Sequence, residues 1–334
     1  MKLPQSFLFP NYSLLIVTGL MVFTAAILNM LIVPDSETLF QAYFMWEFSL
    51  VFFGALAVVM AYDFFKPAER RDVRKLYYSM AAFFMMYVML TLFSTMKSVI
   101  HYVQPYNIDA WLVKIEQIVH LGFLPTTLID HTIHWGGFYQ FLDVFYVLWF
   151  LGIYLYVTLI ILGDSFAHLR ERYLFCFAGV WFVIGNIVAC LMASVGPIYV
   201  EDYFKTNPSD AMAAVRASAD IFEVESEKTK LMAVFFKNLI MEFASNRTVV
   251  DPNGISAMPS VHVAIAALMM FHAKHVNRAL FVASILFFAC IFAGSVLLAW
   301  HYAIDGYVAV LLTYGLWKLS AFLPPPQKPQ ETAI

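Results

Sequence analysis

Long apolar runs separated by polar connections dominate the chain. A membrane-spanning helix needs about 20 mostly apolar residues, and eight runs approach that length. They cover approximately residues 12–33, 43–63, 76–97, 138–162, 173–195, 257–273, 279–299 and 302–323. The sixth run is the shortest and opens with polar residues. The pattern predicts an all-α fold: a polytopic integral membrane bundle of about eight transmembrane helices.

The composition agrees with this prediction. Hydrophobic residues make up 62% of the chain and charged residues only 13%, whereas soluble domains are nearer half apolar and a quarter charged. The mean hydropathy is +0.74. A net charge of −3 supplies no basic surface for a nucleic acid. The expected partner is therefore the membrane bilayer, and no nucleic acid partner is expected.

Lysine and arginine are concentrated in every second connection, and this pattern predicts the orientation of the chain in the membrane. The basic connections are those after the second, fourth and sixth runs, with the sequences FKPAERRDVRK, LRER and AKHVNR. Such connections face the cytoplasm, which places both termini there. The connection 196–256 has nine acidic against six basic residues. It is predicted to lie on the opposite side, which is periplasmic, extracellular or lumenal and is called the outer side below.

A polar tetrad, PSVH at 259–262, opens the sixth run on this outer side. Pro259 suits the first position of a helix, because its missing N–H has no partner there in any case. The following backbone N–H groups lack partners within the helix. Together with the helix dipole they form a site for an anion.

A second polar cluster lies at the same predicted depth, in AGSVLLAWHYAIDGY at 293–307. His301 and Asp305 are four residues apart, which would place them on one helical face. An aspartate can orient an imidazole and leave its other nitrogen free to attack. A single histidine near a helix end is more often a packing or interfacial residue. Two histidines and an aspartate at one depth favour a functional site.

These segments resemble a known enzyme family. PSVH followed by GSVLLAWHYAID is similar to the second and third motifs of the type 2 phosphatidic acid phosphatase superfamily, PSxH and SRxxxxxHxxxD. Upstream, MKSVIHYVQPYNIDAWLVKIEQIVHLG and FLDVFYVLWF resemble its inositol phosphorylceramide synthase-like (inositolphosphotransferase) branch. The resemblance covers about residues 90–310. It implies a six-helix core at 76–323 with outer segments 98–137 and 196–256, and a two-helix addition at 1–75. The proline-rich, polar composition of 324–334 separately predicts a disordered tail.

The resemblance also implies catalytic roles. His301 would be the nucleophile that accepts the phosphoryl group, and Asp305 would orient it. His262 would act as general acid and then as general base, and Ser260 would hold phosphate oxygens. This chemistry needs no metal and no cofactor. The segment DHTIH at 130–134 has near-ligand spacing for a metal, although short histidine clusters also arise in loops by chance.

The chain departs from the family pattern at the phosphate. The family's Ser-Arg pair falls on Gly294 and Ser295, and the motif KxxxxxxRP is missing, with Gly196-Pro197 in its place. The remaining candidates for phosphate binding, besides Ser260, are Ser295, Gly196, Lys97 and Arg247, with Lys237 as a further substitute for the missing arginine. Fewer positive charges favour a singly charged diester over a dianionic monoester.

Three functions stay open from the sequence. The first is transfer of a phospho-headgroup from a phospholipid to another lipid, such as ceramide or diacylglycerol. The second is a lipid phosphate phosphatase that hydrolyses phosphatidate or a polyprenyl pyrophosphate with the same residues. The third is a proton-coupled transporter, which would place ionisable residues through the whole membrane depth rather than in one layer. The segment 209–243 is predicted to be an amphipathic lid or a structured loop.

Overall fold

The computed structural model describes residues 12–32, 54, 57, 61, 65, 73–98, 100–166, 168–204, 210–245 and 255–323. No strand occurs among these residues. The helices of the first half are α1 (Tyr12–Ile32), α2 (Val73–Ser98), α3 (Ile100–Val103), α4 (Asp109–Val119), α5 (Leu128–Thr132) and α6 (Gly136–Leu162). Those of the second half are α7 (Arg170–Leu191), α8 (Val200–Tyr203), α9 (Asp210–Thr229), α10 (Met232–Ser245), α11 (Val261–Ala273), α12 (Arg278–Leu297) and α13 (Ala303–Leu319).

Four of these helices are long and apolar enough to cross a membrane, namely α2, α6, α7 and α12. Shorter apolar helices accompany them, including α1 and α11. The predicted all-α membrane bundle is therefore confirmed. The count of eight spans and the division at residue 75 stay predictions, since the second predicted span lies almost entirely outside the described residues.

Helix α11 is at the centre of the bundle. Its residues Val263–Leu268 are fully buried, and it packs against both α12 and α13. Helices α6 and α12 instead expose large apolar side chains along one side, such as Leu151 and Leu286. An apolar exposed side is what a helix at the lipid boundary presents. The polar start of α11 is thus enclosed by other helices.

The start of α11 differs in detail from the prediction. The helix begins at Val261, and Ser260 caps it by accepting the N–H of Val263 at 3.4 Å. Pro259 lies before this cap and does not occupy the first helical position. Serine is a strong N-cap because its side-chain oxygen pairs an N–H group that the helix leaves without a partner.

The two predicted outer segments are largely helical. The first contains α3 to α5, and the second contains α8 to α10. Helices α9 and α10 form a hairpin, and α9 buries the side chains of Met212, Val215 and Phe222. Asp143 of α6 accepts the N–H groups of Met232 and Ala233 at 2.5 and 3.0 Å and so caps α10. The predicted lid or loop is a helical hairpin anchored to the bundle.

Candidate active site

The two histidines of the sequence motifs face each other. His262 lies in the first turn of α11, and His301 lies in the connection between α12 and α13. Their ring centroids are 6.3 Å apart, with an angle of 57° between the ring planes. The fold thus brings together two imidazoles that are separated by 38 residues in the sequence.

His262 is packed among aromatic side chains of α6. Its ring stacks on Tyr146 with centroids 4.5 Å apart and 15° between the planes. Its ring centroid is also 4.0 Å from that of Trp149, whose indole N–H donates to the His262 carbonyl at 3.1 Å. Tyr146 is ten residues into α6, which is about 15 Å from the start of that helix. The imidazole therefore lies in a recess between helices and not at the mouth of the bundle.

His301 and Asp305 meet through a helix cap and not through a shared helical face. Helix α12 ends at Leu297 and α13 begins only at Ala303, so His301 is outside both helices. Asp305 accepts the backbone N–H of Tyr302 at 3.0 Å in a capping box. The same carboxylate oxygen is 3.4 Å from Nδ1 of His301. This distance exceeds an ordinary hydrogen bond, but catalytic contacts often shorten only when substrate binds.

Burial keeps the His301 ring neutral. Removal from water and, to a smaller extent, the positive charge of Lys97 lower the pKa of His301 to about 3, although a backbone hydrogen bond at Ala257 opposes the shift. A neutral imidazole retains the lone pair that a nucleophile needs. The His301 imidazole is therefore neutral across the physiological pH range.

The residues predicted to bind phosphate lie in different surroundings in the structure. Ser260 is buried at the start of α11 beside His262. Lys97, in the last turn of α2, acts electrostatically on both imidazoles. The Ser295 hydroxyl donates to the carbonyl of Phe292 within its own helix at 2.8 Å. The Ser295 carbonyl instead accepts the N–H of His301 at 2.9 Å. Ser295 thus holds the position of the imidazole.

Gly196 and Lys237 already have other partners in the structure. The N–H of Gly196 donates to Asp109 at 3.0 Å, so this donor is already occupied. The Lys237 amine is buried and pairs with Glu223 at 2.5 Å and Asp202 at 3.3 Å. Arg247 lies outside the described residues. Of the predicted basic candidates that the structure describes, Lys97 is the one whose positive charge acts on both histidines.

Asp109 was not among the residues predicted from the sequence. This buried residue of α4 accepts N–H groups from Val195 and Gly196 at 3.1 and 3.0 Å, and the Tyr302 hydroxyl at 3.2 Å. Burial raises the pKa of Asp109 to about 6, although these hydrogen bonds oppose the shift. One carboxylate thereby joins the segment after α7 to the segment that carries His301.

Glu116, two turns further along α4, was also missed. Its Oε1 accepts the N–H groups of Ala303 and Ile304 at 2.5 and 3.3 Å and so caps α13 from a different helix. Burial raises the pKa of Glu116 to about 7, and the two backbone hydrogen bonds oppose this. Asp109 and Glu116 are seven residues apart and therefore share one face of α4. That spacing was the signal available in the sequence.

The DHTIH segment does not assemble a metal site. Among the described residues, no group of three or more histidines, cysteines, aspartates or glutamates is arranged to hold a metal ion. His134 contacts the neighbouring Trp135 edge-on, with centroids 5.9 Å apart.

A comparison with protein families identifies the chain. The sequence model of the PAP2 superfamily matches residues 110–319, which include Ser260, His262, His301 and Asp305. No match to a curated protein or to a solved structure was found. Members of this superfamily are phosphatases and phosphotransferases, which supports an enzyme that acts on phosphate esters. Since the match covers well over half of the chain, this protein belongs to the PAP2 superfamily.

Proposed function

We propose that the protein is a lipid phosphotransferase that moves a phospho-headgroup between lipids through a phosphohistidine. The observation that carries this proposal is the pair of facing imidazoles, 6.3 Å apart, one of which has a carboxylate 3.4 Å from Nδ1.

In the proposed reaction His301 attacks phosphorus with the nitrogen that does not face Asp305. The bond from phosphorus to the leaving lipid oxygen breaks, and His262 gives that oxygen a proton. His262 then removes the proton from the hydroxyl of the acceptor, whose oxygen attacks phosphorus and releases His301. Asp305 stabilises the positive charge that develops on the His301 ring. The Ser260 hydroxyl and the Lys97 ammonium group hold phosphate oxygens.

The proposed donor is a phospholipid diester, and the acceptor is a lipid hydroxyl such as that of ceramide or diacylglycerol. Among the described residues, the basic side chain whose charge acts on the two histidines is Lys97. One positive charge balances a diester better than a dianionic monoester. Hydrolysis of lipid phosphates by the same residues is the competing outcome.

The proposed orientation places the site on the outer side and both termini in the cytoplasm. Two basic connections support it, because they lie at the end of the bundle away from the histidine pair. Arg172 of the LRER turn donates to the carbonyl of Trp317 near the end of α13 at 3.2 Å. His275 of the AKHVNR turn lies against the same Trp317 ring, with centroids 5.8 Å apart. Their shared end fits the positive-inside rule.

The deciding experiment offers purified protein a phosphate-labelled phospholipid, with and without ceramide or diacylglycerol, and separates the products. Transfer to the added lipid supports the proposal, and release of the water-soluble phospho-headgroup without transfer would assign a hydrolase function. His301→Ala should abolish both turnover and covalent labelling. His262→Ala should slow turnover but retain a labelled intermediate. Substantial activity in His301→Ala would refute the assignment of the nucleophile.

A further inference from the structure

The phenol of Tyr146 is a buried polar group beside the histidine pair that the proposed mechanism does not yet use. Its side chain is 7% exposed, and within the part of the chain that the structure describes its hydroxyl has no hydrogen-bond partner. Leaving a buried hydroxyl without a partner costs about 1–3 kcal/mol, and native proteins contain few such groups. A partner that arrives with the substrate would remove this cost.

The position of Tyr146 depends on Gly294. A Cβ atom built on Gly294 would lie 3.0 Å from Cδ2 of Tyr146, which is closer than carbon atoms normally approach. Gly294 is also the position at which this chain lacks the serine of the family's Ser-Arg pair. The glycine at position 294 therefore departs from the family pattern and also allows the Tyr146 ring to approach α12 this closely.

The geometry places the phenol near the reacting phosphate. The ring centroids of Tyr146 and His262 are 4.5 Å apart, and those of His262 and His301 are 6.3 Å apart. A phosphate bound between the two imidazoles would thus lie close enough for the Tyr146 side chain to reach it. Side chains of a helix lean towards its N-terminus, and for α6 this is the end at which the His301 connection lies.

We propose that the Tyr146 hydroxyl donates a hydrogen bond to a non-bridging oxygen of the substrate phosphate. This inference rests on the proposed phosphotransfer function and assigns Tyr146 as the donor that takes the place of the missing arginine. A hydroxyl brings a hydrogen bond without a charge. The site then matches a phosphate that carries one negative charge, which is the chemistry of a phosphodiester headgroup.

The test compares the wild-type protein with Tyr146→Phe, which keeps the stacking ring and removes only the hydroxyl. Loss of one donor to a developing oxyanion typically costs 10²–10³-fold in kcat, and for a neutral donor we expect a fall of at least about tenfold with little change in KM. Thermal stability should be unchanged or higher, because an unpaired buried hydroxyl is removed. Tyr156→Phe is the matched control, since its hydroxyl pairs with His272 at 2.9 Å, away from the site.

Gly294→Ser provides a second, independent variant, because the added side chain displaces the Tyr146 ring and should also lower kcat. The inference is overturned if Tyr146→Phe retains kcat within twofold while His301→Ala is inactive, and the proposed function then stands. If the wild-type protein neither turns over a phospholipid nor becomes labelled, the proposed function and this inference fall together.

Discussion

Glu116→Gln is the substitution for which the structure gives the clearest quantitative expectation. The Glu116 carboxylate is fully buried and caps α13 by accepting the N–H groups of Ala303 and Ile304. Glutamine keeps a side-chain oxygen that can accept the same N–H groups, but it cannot ionise. The substitution therefore separates the hydrogen bonds of the cap from its charge.

The magnitude follows from the pKa of Glu116, which the fold raises from 4.5 to about 7. Burial is the main cause, the negative charge of Asp305 adds to it, and the nearby His120 opposes it. The unfolded chain releases this proton near pH 4.5, whereas the folded chain holds it up to about pH 7. The stability that the neutral group contributes is complete below pH 4.5 and is lost as the pH rises to about 7. At about 1.4 kcal/mol per pKa unit, the loss is about 3 kcal/mol.

The assay is thermal unfolding in detergent between pH 5 and pH 9, followed by tryptophan fluorescence. Glu116→Gln should match the wild type near pH 5 and exceed it above pH 7, by a difference on the order of 5 °C. Glu225→Gln is the control, because Glu225 is partly exposed and pairs with the surface residue Lys228; it should leave the pH dependence unchanged. Parallel curves for wild type and Glu116→Gln across this range would show that the carboxyl group does not titrate there, and the reasoning would be wrong.

Three further predictions concern the site. Lys97→Ala should raise KM for the phospholipid donor about tenfold or more, since a charge-assisted hydrogen bond is worth about 1.5–3 kcal/mol; Lys97→Arg should restore much of the affinity in steady-state kinetics. Gly196→Ala should cost about 2 kcal/mol or more in thermal unfolding, because φ is +78° and the new Cβ would lie 2.6 Å from the Trp300 carbonyl oxygen. Gly137→Ala, where a Cβ meets no atom within 4 Å, is its control. EDTA should leave turnover unchanged, and inhibition that a divalent ion reverses would restore the DHTIH segment as a metal site.

The helical bundle and the pairing of the two histidines could be predicted from the sequence for a simple physical reason. A membrane requires long apolar helices, and each polar intrusion into them is costly enough to stand out. Alternation of lysine and arginine then places the starts of α11 and α13 at the same end. Neither step requires knowledge of side-chain contacts.

The contribution of α4 could not be predicted in the same way. In a soluble amphipathic helix the charged side faces water, but α4 buries Asp109 and Glu116 and exposes Trp111 and Ile118. Apart from the Tyr302 hydroxyl, the hydrogen-bond partners of the two acids are backbone N–H groups 86 to 188 residues further along the chain. Backbone donors have no signature in the sequence, so only the folded arrangement of the segments shows where these carboxylates bind.

The depth of the histidine pair bears on the choice between transfer and hydrolysis, because both reactions use the same residues and differ only in the acceptor. Helix α6 runs for about 15 Å between its start at Gly136 and Tyr146. Within this stretch Asp143 caps α10, and Tyr139 packs near Phe222 of α9. The α9–α10 hairpin also packs against Pro197–Tyr199, next to the His301 connection. Water that approaches along the bundle axis therefore meets packed helices. For the proposed transfer, the acceptor hydroxyl would then have to reach the histidine pair from the lipid side, between the helices.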